Sequence, residues 1–333
     1  MAASKPHTLY VAATIHAGTT IFGNVLGQVE GVFHAGELIH VWRSLRDNTL
    51  CGCGLPVRDC PVWQAIFEQA YGGFDRVDAD QADRLMQETA RRIAQRGEFR
   101  SVILARNGER LPALTELAEI TGALYRAVQA VTGCDLIVDT SKAIWYGNLL
   151  ATHALADLHA LHLVRDPRGV NYSLYRKHKN RREPDRVRSP AGYALRTSRA
   201  WTLLNLAAEL VWRKRGPHRG YKRVRHEDFV AEPVTQLKAV LAFAGLETGS
   251  LSFINGNSVT IQPTHTVEGN RVRHQQGPVE LRLDTDWISQ TSLESRALAT
   301  ALTLPLLLRY HYPLFPAKWY ANSPHTQAPV KVS

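Results

Sequence analysis

Three short segments of the 333-residue chain carry residue types that bind and transfer an anionic group. The first is Thr14-Ile15-His16-Ala17-Gly18-Thr19-Thr20. Gly18 lets the backbone approach an anion closely. The N–H groups of Gly18, Thr19 and Thr20 can then point at it from a helix start, and the threonine hydroxyls add donors. The second is Asp139-Thr140-Ser141-Lys142, which ends on an ammonium group. The third is Arg165-Asp166-Pro167-Arg168, whose first guanidinium fork suits a phosphate dianion. Alone, each has a plainer reading. Thr and Ser favour helix caps, lysines are usually exposed, and Arg165 could simply pair with Asp166 or another neighbour. The first segment is not a Walker A loop, because G-x4-G-K-[ST] is absent and no lysine follows Gly18.

The surrounding pattern positions these segments. Thr8 to Ala13, Cys134 to Val138, His159 to Val164 and Tyr221 to Arg225 are short β-prone runs. Gly31 to Trp42 reads as a strand, a turn and a helix. Helical spacing follows over Thr19 to Leu26. Another helix begins at Pro167, with Asp166 as its cap and proline in the first helical position. Further helices are predicted over Ala194 to Arg213, from Pro233, and over Arg296 to Leu308. Strands alternating with helices predict a three-layer α/β fold, with a central parallel sheet flanked by helices. In such a sheet, ligands sit beyond the carboxyl ends of the strands. The three segments lie at such ends, so they should converge in space. We read residues 1–333 as one domain. It carries a helical insertion at about 75–132, from the amphipathic patterns of Asp78 to Arg96 and Leu111 to Val131. A polar, Gly-rich loop at about 252–282 is expected to cover the site.

The net charge of +10 favours an anionic partner. No signal peptide or membrane-length apolar run is visible, so a cytoplasmic protein is expected. No nucleic-acid motif or interleaved aromatic stripe appears, and no nucleic-acid partner is expected. Cys51, Cys53 and Cys60 cluster in a Gly-rich loop from Leu50 to Trp63, while Cys134 stands alone. The cluster reads as structural, reduced or partly paired. Zinc normally takes four ligands, and the nearest candidates for a fourth are His34 and His40. We assign no metal. The basic stretch Arg176 to Arg188 reads as a solvated face, or as a lid for an anionic donor or acceptor.

Seven pieces of the chain resemble the P-loop sulfotransferases, in particular a bacterial branch related to carbohydrate and tyrosylprotein sulfotransferases. They are AATIHAGTTIFGNVLGQ, GVFHAGELIHVW, CGCGLPVRDCPVW, DTSK, HLVRDPRGVNYSLYR, VRHEDFVAEP and HTVEGNRVR…DTDW, in family order across nearly the whole chain. The resemblance implies 3′-phosphoadenosine 5′-phosphosulfate (PAPS) as donor, 3′,5′-ADP as product, and no metal in the reaction. It implies that Thr14, His16, Ala17, Gly18, Thr19 and Thr20 hold the 5′-phosphosulfate. Arg165 and Ser173, about two helical turns apart, would hold the 3′-phosphate, with Arg176 and Lys177 extending that site. Lys142 would stabilise the transferring sulfuryl group. Glu37 would be the general base that takes the proton of a small-molecule or carbohydrate hydroxyl, with His34 as the alternative base. The plainer reading of Glu37 is an acid favoured in a helix first turn.

The chain also departs from the family. His16 stands where the family usually carries Lys or Arg, which raises the possibility of a degenerate enzyme. His226 stands where the family often has Tyr. The late Gly-Asn-Pro-x-Arg segment has Arg271 in place of proline, while Arg273 keeps the motif arginine. Two other classes compete with this reading: a P-loop small-molecule kinase, which needs Mg²⁺ and a loop lysine, and a non-catalytic polyanion-binding module.

Overall fold

The computed structural model describes residues 5–95, 113–180, 189–213 and 218–316. Part of the predicted insertion (96–112) and of the basic stretch (181–188) lies outside the described residues.

Five strands form a fully parallel sheet: β1 (His7–Ala13), β2 (Val32–Gly36), β3 (Leu136–Lys142), β4 (Asp157–Val164) and β5 (Gly220–Arg225). Their order is β2-β3-β1-β4-β5. The chain therefore winds to one side of β1 and then crosses to the other, which opens the ligand crevice of a doubly wound sheet beside β1. Both faces of β1 are covered. Leu9 and Val11 enter one core, and Tyr10 and Ala12 the other. This explains why the strand reads as a continuous apolar run rather than an alternating one.

The layer beneath Leu9 and Val11 contains α1 (Thr19–Leu26), α9 (His226–Ala231) and α10 (Pro233–Phe243), joined through Phe22, Val25, Phe229, Leu237 and Val240. The opposite layer contains α2 (Val41–Arg46), α3 (Pro61–Tyr71), α4 (Ala79–Gln95), α5 (Ala113–Thr132), α6 (Ile144–Thr152) and α8 (Pro190–Trp212). Within the predicted insertion, α4 packs on α2 and on α5. A third cluster joins α8 to α7 (Pro167–Asn180) and α12 (Leu293–Arg309) through Leu174, Trp201 and Leu307, with α11 (Asp286–Gln290) beside it. Asp166 starts α7 as expected. Its carboxylate accepts the Arg168 N–H at 2.9 Å and also grips the buried Arg168 guanidinium. No helix among the described residues is long and apolar enough to cross a membrane.

Two local readings change. The predicted loop at 252–282 contains a small antiparallel sheet, β6 (Ile254–Asn255), β7 (Ser258–Ile261) and β8 (Gly277–Glu280). Strands this short show too few alternations for a period-two signal to register. The connection between β7 and β8 forms a strap across the carboxyl edge of the large sheet, described below. The Cys-rich loop, expected to run to Trp63, gives way to α3 at Pro61, a proline in the first turn.

Buried histidines make the fold acid-sensitive. Burial pushes His34 and His226 down to about 3 and His162 down to about 4. Each then binds its proton more weakly when folded than when unfolded, so stability falls as pH drops below 6.5. Burial acts oppositely on two carboxyls, raising Asp139 to about 6 and Glu227 to about 7. These add stability as pH falls toward 5. The three histidines outweigh the two acids, so the urea midpoint should fall between pH 7 and pH 5. A midpoint that rises over that interval would contradict this balance.

Candidate active site

The loop after β1 has an anion-binding form. Gly18, just before α1, adopts φ 87°, and a Cβ there would lie 2.4 Å from the His226 ring. Only glycine fits, because both the backbone angle and the close contact exclude a side chain. α1 has no side-chain cap and no acid in its first turn, so its leading N–H groups remain available. Ala17 is fully buried, and the buried Thr14 hydroxyl has no hydrogen-bond partner. His226 packs against the loop from beneath, and its Nδ1 is also unpartnered.

His16, Arg165 and Ser173 meet, although they are spread over more than 150 residues. His16 Nδ1 lies 2.8 Å from the Ser173 hydroxyl. Arg165 donates to the His16 carbonyl at 3.0 Å. His16 itself sits at φ 62°, a left-handed angle uncommon outside glycine. Burial, reinforced by the positive charges of Lys177 and Arg165, pushes His16 down to about 4. At neutral pH it is an uncharged hydrogen-bonding ring, not a cation. Arg165 also pairs with Asp284 at 3.5 Å, and Arg176 approaches the same carboxylate at 3.6 Å.

Glu37 and Lys142 form the second half of the site. The Lys142 ammonium donates to Glu37 Oε1 and to the Thr140 carbonyl at 3.4 Å. Both side chains are largely shielded, 12% exposed for Glu37 and 16% for Lys142. The support beneath them is specific. Buried Asp139 accepts hydrogen bonds from Tyr125, from the Ser141 N–H at 2.8 Å and from the Ser141 hydroxyl at 2.5 Å. Ser141 in turn accepts the Ile39 N–H at 3.0 Å. This network joins the end of β3 to the turn that follows Glu37. His40 approaches the other Glu37 oxygen at 3.9 Å.

The strap closes one side. Gly36 has φ 86°, and a Cβ there would lie 2.2 Å from the Val267 carbonyl oxygen. Val267 donates to the Ala35 carbonyl at 3.0 Å and accepts the Glu37 N–H at 2.9 Å. Asn270 donates to the Thr20 hydroxyl at 3.3 Å. Arg273 binds the carbonyls of Gly269 and Leu50 at 2.9 and 3.0 Å. The strap thus touches the start of α1, Glu37 and the Cys-rich segment.

A family model described as "Sulfotransferase family" matches residues 9–250, close to three-quarters of the chain. The chain belongs to the sulfotransferase family. Among solved structures, the sulfotransferase domain from the curacin biosynthetic pathway is similar at 14% identity and TM-score 0.49. The match covers 93% of this chain and 100% of that one. The sulfotransferase domain of a Synechococcus olefin synthase is similar at 18% identity and TM-score 0.46, covering 91% and 97%. A mouse sulfotransferase solved with PAP is similar at 11% identity and TM-score 0.44, covering 92% and 86%. No curated protein matches the chain.

For this sulfotransferase, most residues singled out from sequence lie together at the carboxyl edge of the large sheet. His16, Arg165 and Ser173 converge, and Lys177 is near enough to depress His16. Lys142 and Glu37 form a pair, and the strap brings Asn270 to Thr20. His34, the alternative base, lies elsewhere. It is 3% exposed beneath α1, with Nε2 3.3 Å from the Thr140 hydroxyl. Gly23 exists as glycine because a Cβ would strike that ring at 2.3 Å. A neutral, enclosed imidazole cannot reach an acceptor. Sequence reasoning gave no role to Asp284 or Tyr125, and considered His40 only as a fourth metal ligand. Asp284 was within reach, since it stands in the DTDW piece, but nothing local pairs it with Arg165.

Proposed function

We propose that the chain transfers a sulfuryl group from PAPS to a hydroxyl of a small-molecule or carbohydrate acceptor. The observation that carries this reading is the shielded Glu37–Lys142 pair beside a glycine-turned anion loop. The loop fits a phosphosulfate: it offers an unpartnered buried hydroxyl at Thr14, free leading N–H groups, and a backbone held open by Gly18. Arg165 and Ser173, with Lys177 nearby, supply the 3′-phosphate subsite. Asp284 holds the arginine in place until a phosphate competes for it.

In this mechanism Glu37 takes the acceptor proton as the new oxygen–sulfur bond forms. Lys142 leaves its pairing with Glu37 to stabilise charge on the sulfuryl oxygens and on the bridging oxygen. The sulfur–oxygen bond to the nucleotide breaks, and 3′,5′-ADP departs with its charge held by the loop N–H groups. His16 donates a ring N–H to the phosphosulfate oxygens. Its Nδ1 contacts the Ser173 hydroxyl at 2.8 Å, and a neutral imidazole carries one N–H that can donate to an anion. Arg273 steadies the strap over the donor through the carbonyls of Gly269 and Leu50.

The test is an acceptor screen with sulfur-labelled PAPS or γ-labelled ATP, each with and without magnesium. Transfer should occur from PAPS without magnesium and not from ATP in either condition, and His16→Ala should lower turnover. Transfer only from ATP with magnesium would favour a kinase and overturn the proposal. Unchanged turnover in His16→Ala would remove that residue from the mechanism.

A further inference from the structure

The Cys-rich segment places four ligand-type side chains at one point. Cys51, Cys53, Cys60 and His265 present their sulfur and ring-nitrogen atoms within 4.8 Å of one another. Three of them lie within ten residues. The fourth comes from the strap, 205 residues beyond Cys60. Neither His34 nor His40, the near neighbours in sequence, belongs to the group. His34 is enclosed under α1 and His40 faces Glu37.

We infer that Cys51, Cys53, Cys60 and His265 bind a structural zinc ion that clamps the strap to the Cys-rich segment. Two of the ligand–ligand distances are close to the edges of a zinc tetrahedron. With Zn–S near 2.3 Å and Zn–N near 2.0–2.1 Å, two sulfurs should lie about 3.8 Å apart, and a sulfur and an imidazole nitrogen about 3.6 Å apart. Cys53 and Cys60 are 3.8 Å apart, and Cys60 lies 3.3 Å from His265 Nδ1. A disulfide would need about 2.05 Å, and all four cysteines of the chain are free. Three thiolates and an imidazole favour zinc over hard cations. Four protein ligands fill the coordination shell, as in structural rather than catalytic sites.

The backbone is shaped for this ligation. Cys51 accepts the Gly54 N–H at 2.9 Å, and Gly54 turns at φ 91°. Cys60 stands immediately before α3. His265 is held by its carbonyl, which accepts the Trp63 indole N–H at 2.8 Å. Gly52 donates to the Thr266 carbonyl at 2.9 Å, and a Cβ at Gly52 would strike the Thr266 hydroxyl at 2.5 Å. Two residues after His265, Val267 makes its two bonds with the backbone at Ala35 and Glu37. The ion would therefore fix the position of the strap against the candidate base. It takes no part in the transfer, and its presence does not depend on the identity of the donor.

The experiment is metal analysis of the full-length protein from zinc-supplied cells, after exhaustive desalting. One zinc per chain is expected, retained in Cys134→Ser and lost in Cys60→Ser and His265→Gln. Cobalt exchange into the wild-type protein should give the intense thiolate bands of a tetrahedral site. Metal-free protein should show faster hydrogen exchange over residues 262–276. The wild-type measurements stand even if a variant fails to fold. The proposal is overturned by wild-type protein that neither carries zinc nor takes it up after reduction. Zinc that persists equally in all three variants, or a cobalt spectrum of octahedral type, would overturn it as well.

Discussion

Replacing Glu37 by glutamine should lower kcat by about 10²- to 10⁴-fold, the usual contribution of a positioned general base. Glutamine keeps the side chain's size and its ability to accept the Lys142 hydrogen bond, but it cannot accept a proton. The Glu37 N–H bond to Val267 is made by the backbone and is unaffected. Affinity for 3′,5′-ADP should therefore change little. The loss should also depend on the acceptor. A phenol that is already substantially ionised at the assay pH needs less help from a base, so its rate should fall less than that of an alkyl hydroxyl. Steady-state rates across acceptors of graded acidity measure this directly. A loss of equal size for every acceptor would point to a packing role, and an unchanged kcat would remove Glu37 from the chemistry.

Lys142→Ala should cost about 10²- to 10³-fold in kcat, the range seen when one preorganised donor to a developing charge is removed. Its side chain is 16% exposed at the end of β3, so the charge acts in a largely shielded setting. The Asp139–Ser141–Ile39 network does not use the Lys142 side chain and should hold the turn in the variant. The melting temperature should move far less than the rate. Arginine at the same position should not restore full activity, because a planar fork does not replace a compact ammonium group. Turnover within twofold of wild type in Lys142→Ala would show that the pair with Glu37 is only a resting-state salt bridge.

Legibility in the sequence followed the range of the interactions. The helix from Thr19 to Leu26 and the strand before it were readable, because an apolar run, a glycine turn and helical spacing are local signals. The cap at Asp166 was readable for the same reason. α6, over Ile144–Thr152, was not: it is buried on most sides, so its residues show no clean polar face to mark a helical period. The partners that complete the site were also hidden. His265 joins the cysteines across 205 residues, Arg165 reaches His16 across 149, and the strap docks on Gly36 through backbone atoms that carry no residue-type signal. His34 shows the converse case. Its residue type suited a base, but the two glycines that bury it, Gly23 and Gly27, could be recognised as packing sites only once α1 lay over β2.

His16 ties these points together. Its residue type marks a departure from the family's usual cation, and its placement against Ser173, Arg165 and Lys177 keeps it neutral. On the proposed mechanism, Arg165 and Lys177 carry the positive charge beside the 3′-phosphate. This makes the 3′-phosphate subsite the feature on which donor recognition depends. The most direct measurement is calorimetric titration of the protein with 3′,5′-ADP and with 5′-AMP, repeated on Arg165→Ala. The account predicts a marked preference for 3′,5′-ADP in the wild type that collapses in the variant. Equal, weak binding of the two nucleotides by the wild-type protein would contradict it.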